Sequence, residues 1–147
     1  MKSSTGLKHW VYIITVFLLV LSGFAQMPIF KRYYIADIPG FGWLADFYVT
    51  HLIHYLSASV LIGLFAYSLL TFFLSGATPL TPVGKTRIVL LFGLILTGSL
   101  MVFKNLEGVY FNAGLIIGLD LIHLGLCMTF LLVSFYALIR KAAWVTR

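Results

Sequence analysis

Four long apolar stretches dominate the chain, Trp10 to Phe24, Phe47 to Leu74, Ile88 to Phe103 and Val109 to Ile139. A hydrocarbon core takes about 20 apolar residues in a helix, so each stretch predicts one crossing. The first and third are short, and Lys8, Arg87 and Lys104 are expected to lengthen them by carrying their charges out to the interface. The predicted helices lie near residues 9–25, 47–74, 87–103 and 109–140. Together they make an all-α integral membrane four-helix bundle, a single membrane domain over residues 1–147 with no soluble domain beside it.

Composition agrees with that pattern. Of 147 residues, 61% are apolar and only 10% charged, and the mean hydropathy of +1.05 lies well outside the range of soluble globular chains. The first segment also carries marks of a secretory signal, with Lys2 and Lys8 ahead of an apolar core and Gly23 and Ala25 forming a small-x-small site. We expect it to remain as a helix.

With four crossings both termini share one side. Lys2, Lys8, Lys85, Arg87, Arg140, Lys141 and Arg147 fall together, whereas Lys31, Arg32 and Lys104 fall opposite, balanced by Asp37, Asp46 and Glu107. The cationic excess predicts that both termini are cytoplasmic, in a multi-pass protein of the cell inner membrane. The net charge of +6 expresses this topology and an attraction to anionic headgroups. No basic, aromatic-interleaved soluble patch is present, which argues against nucleic acid as a partner.

Cys127 is the single cysteine and lies inside the fourth stretch. An intramolecular disulfide is therefore impossible, and a disulfide oxidase, which needs cysteine pairs, is excluded. The longest link, from about Ala25 to Asp46, holds Pro28, Pro39, Gly40 and Gly42 with Phe30, Tyr33, Tyr34, Phe41 and Trp43. That mixture suits a compact interfacial loop that either anchors the chain or docks a partner. The link from Ser75 to Thr86, with Pro79, Pro82 and Gly84, is expected to be a plain cytoplasmic turn. No soluble-type repeat is evident.

Histidine within a bilayer is costly and calls for a function. Counted back from Leu74 and Ile139 at 1.5 Å per residue, His54 lies about 30 Å and His123 about 24 Å from the cytoplasmic boundary. Two imidazoles at similar depth on neighbouring helices can approach one plane from opposite faces, as a six-coordinate haem iron requires, and a b-type haem is the ligand they predict. His51 is turned about 60° from His54 and stands about 4.5 Å nearer the outer surface. It is a hydrated interfacial residue, a haem-propionate contact, or the ligand in place of His54. His9, followed by Trp10, reads as an interfacial anchor.

The series His9-Trp10, Leu21-Ser22-Gly23 with Pro28, Leu52-Ile53-His54, Leu96-Thr97-Gly98 and Leu121-Ile122-His123 resembles the four-helix cytochrome b subunits of membrane formate dehydrogenases and nickel-iron hydrogenases. The resemblance spans the four helices. It implies a membrane subunit carrying electrons between an iron-sulfur or other redox partner on the outer face and the quinone pool, menaquinone or ubiquinone, through two stacked b haems. The outer haem of that family is held by histidines that map to His54 and His123. The inner haem is held by one that maps to His9 and by a second fourth-helix histidine, where this chain has Ala137, with Ser134 and Tyr136 nearby. One haem is therefore expected, and a second only if His9 finds another ligand. Otherwise His9 contacts a quinone headgroup or anchors its helix.

Three further features bear on such a site. Ser57, Ala58, Gly114, Gly118 and Gly125 near the histidines serve either a flat cofactor or ordinary helix packing. Asp120, the one acid within a span, is a candidate acceptor for a ligand ring N–H, and otherwise faces water or a partner subunit. Lys104 is a candidate counter-ion to a haem propionate. The expected activity is electron transfer with no bond-making by side chains. The alternatives are a haem-free membrane anchor and a small transporter using His54, Asp120 and His123 as a proton-coupled site.

Overall fold

The computed structural model describes residues 3–27, 37–74 and 79–145. Lys2, Lys31, Arg32 and Arg147 of the charge pattern, and Pro28, Phe30, Tyr33 and Tyr34 of the long link, lie outside them. The described residues form four α-helices, α1 (Ser3–Ala25), α2 (Phe47–Leu74), α3 (Pro82–Phe103) and α4 (Ala113–Ile139), with a short 3₁₀ turn at Gly42–Ala45. All four are long and apolar enough to cross a membrane. Their neighbours are sequential: the chain divides into two compact units, Met1–Ser75 and Gly76–Arg147, in which α1 packs on α2 and α3 on α4.

Helices α2, α3 and α4 each start where a side chain can take over unsatisfied backbone N–H groups. Asp46 Oδ1 accepts from the N–H groups of Tyr48 (2.9 Å) and Val49 (3.1 Å) at the head of α2, as N-capping requires. Thr81 caps α3, its hydroxyl oxygen accepting from Gly84 N–H at 3.0 Å, and Pro82 occupies the first helical position, where the missing N–H costs nothing. The third helix thus begins six residues before Ile88, on ground read from sequence as a turn, because a capped proline start outweighs the polar run around Lys85. Asn112 caps α4 through Leu115 N–H at 2.8 Å, so that helix opens at Ala113 rather than at Val109.

The second unit is tied at its open end. Lys141 takes a positive φ of 50°, and Ala142 N–H reaches back to Ala137 O at 2.9 Å, a left-handed helix stop. The tail then runs beside the start of α3. Thr81 N–H donates to Trp144 O at 3.1 Å and its hydroxyl to Ala143 O at 2.7 Å. A side chain on Gly84 would overlap the Trp144 carbonyl, which is why the backbones come this close only over glycine. Arg87 completes the clasp, donating to Ser134 O at 3.2 Å with its guanidinium 5.0 Å from the Trp144 ring centre.

In the first unit, Lys8 Nζ donates to Tyr67 Oη at 2.8 Å, sealing the open end of that hairpin. The seams hold small and hydroxyl residues: Thr15, Ser22, Thr50, Ser57 and Thr97 are all buried, while large residues such as Phe17, Leu56, Phe92 and Leu132 face outward. Leu90, Leu91, Leu119 and Phe130 are buried beside them, and small and hydroxyl residues at the helix contacts with many large apolar ones outside are the pattern of helices packed in lipid.

Candidate functional site

Ser22 and Gly23 are neighbours on α1 and face His54 on α2. Ser22 Oγ lies 3.1 Å from His54 Nδ1. A Cβ at Gly23 would sit 3.2 Å from His54 Cε1, so only glycine lets the ring lie against α1 undisturbed. The second unit repeats the arrangement. Thr97 Oγ1 lies 2.8 Å from His123 Nδ1, and a Cβ at Gly98 would come within 3.5 Å of His123 Cε1. In both hairpins the first helix carries Leu-hydroxyl-Gly and the second Leu-Ile-His. Their sequence separations differ, at 32 residues between Ser22 and His54 and 26 between Thr97 and His123, because the first hairpin has the longer link.

The duplicated cradle went unread in the sequence, although both triplets are visible there. A lone Ser or Thr in an apolar helix ordinarily bonds to its own backbone, and nothing local says which helix it will also touch. The glycines mattered elsewhere than expected. A Cβ at Gly118 or Gly125 on α4 would meet no atom within 4 Å, whereas the close approaches are at Gly23 and Gly98 on the partner helices, and at Gly93, where Leu126 Cδ1 lies 3.1 Å away.

The histidines enter from the turn ends of their helices. His54 is the eighth residue of α2 and His123 the eleventh of α4, placing them about 10 Å and about 15 Å along those helices. Both rings are half-buried.

His51 is drawn into separate contacts. Its Nδ1 lies 3.1 Å from Gln26 Oε1, one turn beyond Ser22 on the chain, and its ring stacks on Phe47 (centroids 4.9 Å, 25°) and leans on Tyr55 (4.2 Å, 53°). Lys104, at the end of α3, stands 3.8 Å from Asp120 Oδ1, a long ion pair with the carboxylate largely exposed. Asp120 therefore meets a lysine, and the Nδ1 of His123, one turn further on, meets Thr97. His9 is exposed and lies 13 residues before Ser22 on α1, about 20 Å along the helix and so remote from the His54 cradle. Ala137, where the resembled family has its further histidine, is buried at 2% exposure as a packing residue.

Among the described residues, no three His, Cys, Asp or Glu side chains gather into a cage for a bare metal ion. What the hairpins offer is one imidazole each. With Nδ1 tied to a hydroxyl, any further in-plane bond of the ring runs through Nε2, the nitrogen by which histidine commonly binds haem iron. Each imidazole taken by itself has the chemistry of a single axial donor to a porphyrin, which supplies four of the iron's six bonds itself. No family model, curated protein or solved structure matches the chain, and the reading of the site rests on its own residues.

Proposed function

We propose that this chain is the b-type cytochrome subunit of a multi-subunit membrane oxidoreductase, with haem b held through Nε2 of His54 and His123. Iron in such a site exchanges single electrons without making or breaking a bond at a side chain. One observation carries the reading: two separate hairpins each present a half-buried imidazole tied at Nδ1 by a hydroxyl and backed by a glycine. A haem-free anchor has no use for that repetition, and a proton-coupled transporter would need titrating partners where these rings have neutral hydroxyls.

The same reading assigns the remaining candidates. An iron-sulfur or other redox subunit meets the turn ends of the hairpins on the outer face, and the quinone pool, menaquinone or ubiquinone, is the exchange partner within the membrane. His9 serves a quinone headgroup rather than a second haem, since Ala137 offers no ligand. Lys104 and His51, both at turn ends and paired in this structure with Asp120 and Gln26, are the candidate propionate contacts. Both termini are cytoplasmic, in the cell inner membrane.

Absorbance tests the assignment. The purified chain is expected to show a reduced b-type spectrum with one haem per chain by pyridine haemochrome, and His54→Ala or His123→Ala to abolish it. A full spectrum retained in His123→Ala overturns the ligand assignment, two haems per chain restore His9 as a ligand, and a colourless preparation with stoichiometric partner subunits returns the chain to an anchor.

A further inference from the structure

A hydroxyl has one proton to give and two lone pairs to receive with. Ser22 Oγ lies 2.6 Å from Leu18 O and 3.3 Å from Leu19 O, and carbonyls only accept, so its proton is committed to its own helix. Thr97 Oγ1 repeats this, at 2.8 Å from Gly93 O and 3.2 Å from Leu94 O. The remaining close approach to each oxygen, from His54 Nδ1 and His123 Nδ1, must then bring the proton from the ring. A neutral imidazole has a single N–H, so the proton on Nδ1 leaves the in-plane lone pair on Nε2. Reversing the tautomer would set lone pair against lone pair unless the hydroxyl abandoned its helix carbonyl, a lost hydrogen bond in apolar surroundings.

We propose that Ser22 and Thr97 are positioning residues that hold His54 and His123 as Nδ1–H tautomers, with the in-plane lone pair of each ring on Nε2, the nitrogen that would bond iron. The purpose given to that tautomer rests on the haem reading; the tautomer itself does not. The acceptor chemistry also matters. A carboxylate at Nδ1 pulls the ring toward imidazolate and favours ferric iron, whereas a hydroxyl whose own proton is spent on a carbonyl pulls weakly. Neither ring is thereby drawn toward imidazolate by its hydroxyl, at 3.1 Å for Ser22 and 2.8 Å for Thr97.

Nitrogen-15 NMR of the histidine-labelled full chain in lipid, before and after haem loading, reads the tautomer directly. In haem-depleted protein, His54 and His123 are expected to show a protonated Nδ1 and an unprotonated Nε2. Ser22→Ala should turn the His54 signal alone into a mixture of tautomers and Thr97→Val the His123 signal alone, while Ser22→Thr and Thr97→Ser keep the native pattern. With haem bound, Ser22→Ala and Thr97→Val should each raise the midpoint potential, and the conservative pair should leave it in place. A protonated Nε2 in the native chain, or unchanged tautomers in both deletion variants, overturns the proposal. A colourless chain whose histidines are nonetheless Nδ1–H upholds it and sinks the haem reading; a loaded chain with reversed tautomers does the opposite.

Discussion

At Gly23 and Gly98 the absence of a single carbon decides whether an imidazole can rest on its neighbour. The two positions are not equally tight. A methyl at Gly23 would stand 3.2 Å from His54 Cε1 while Ser22 holds the same ring at Nδ1, so the ring must give by a few tenths of an ångström against its own hydrogen bond. At Gly98 the corresponding 3.5 Å is ordinary contact. Under the proposed haem reading, Gly23→Ala should therefore lower haem content several-fold and Gly98→Ala hardly at all, measured as reduced-minus-oxidised absorbance per chain. Equal occupancy in the two variants would mean that the ring at His54 is looser than its contacts imply. Of this site the sequence displays His54 and His123 openly, because imidazole stands out in an apolar run. Ser22, Thr97 and the two glycines are camouflaged, since small and hydroxyl residues are common in any membrane helix and their partners lie 26 to 32 residues away.

Among the elements, α2 was the most legible, matching its apolar block from Phe47 to Leu74 because Asp46 caps it just where the block begins. The start of α3 was not. Lys85 and Arg87 break the apolar run, and hydropathy counted them as a link although Thr81 and Pro82 together are a helix-start signal. Thr81 also binds the tail after α4, accepting from Gly84 N–H while donating to Ala143 O. Thr81→Ala should destabilise the chain by about 2 kcal/mol, one cap and one hydrogen bond, and lower the Tm in detergent by a few degrees. Thr81→Ser should recover most of the loss. The same melting curve for Thr81→Ala and the native chain would show that the clasp holds without its hydroxyl.

For the whole molecule, charge is arranged by hairpin. In sequence, the open end of the first unit carries Lys2 and Lys8 and that of the second Lys85, Arg87, Arg140, Lys141 and Arg147, whereas the links and turn ends carry Lys31, Arg32 and Lys104 with Asp37, Asp46, Glu107 and Asp120. The second hairpin, with five basic residues toward its open end against Lys104 at its turn, carries the bias on which the prediction of cytoplasmic termini rests. A fluorescent protein fused after Arg147 should glow and a periplasm-dependent phosphatase there should stay inactive, with the reverse for either reporter inserted near Glu107. An active C-terminal phosphatase would invert the topology and overturn the cytoplasmic assignment of both termini. Four crossings could be counted from sequence because hydropathy is a local property. Their pairing into α1 with α2 and α3 with α4 depends on contacts between distant positions, which no local window contains.

The hydroxyl that anchors each ring belongs to the helix made just before the histidine's own. His54 consequently meets Ser22 as soon as the first two helices are in lipid, and His123 meets Thr97 once the last two are. Biogenesis is thereby relieved of a search: each ring is fixed within its own hairpin, whatever the order in which the two hairpins later settle.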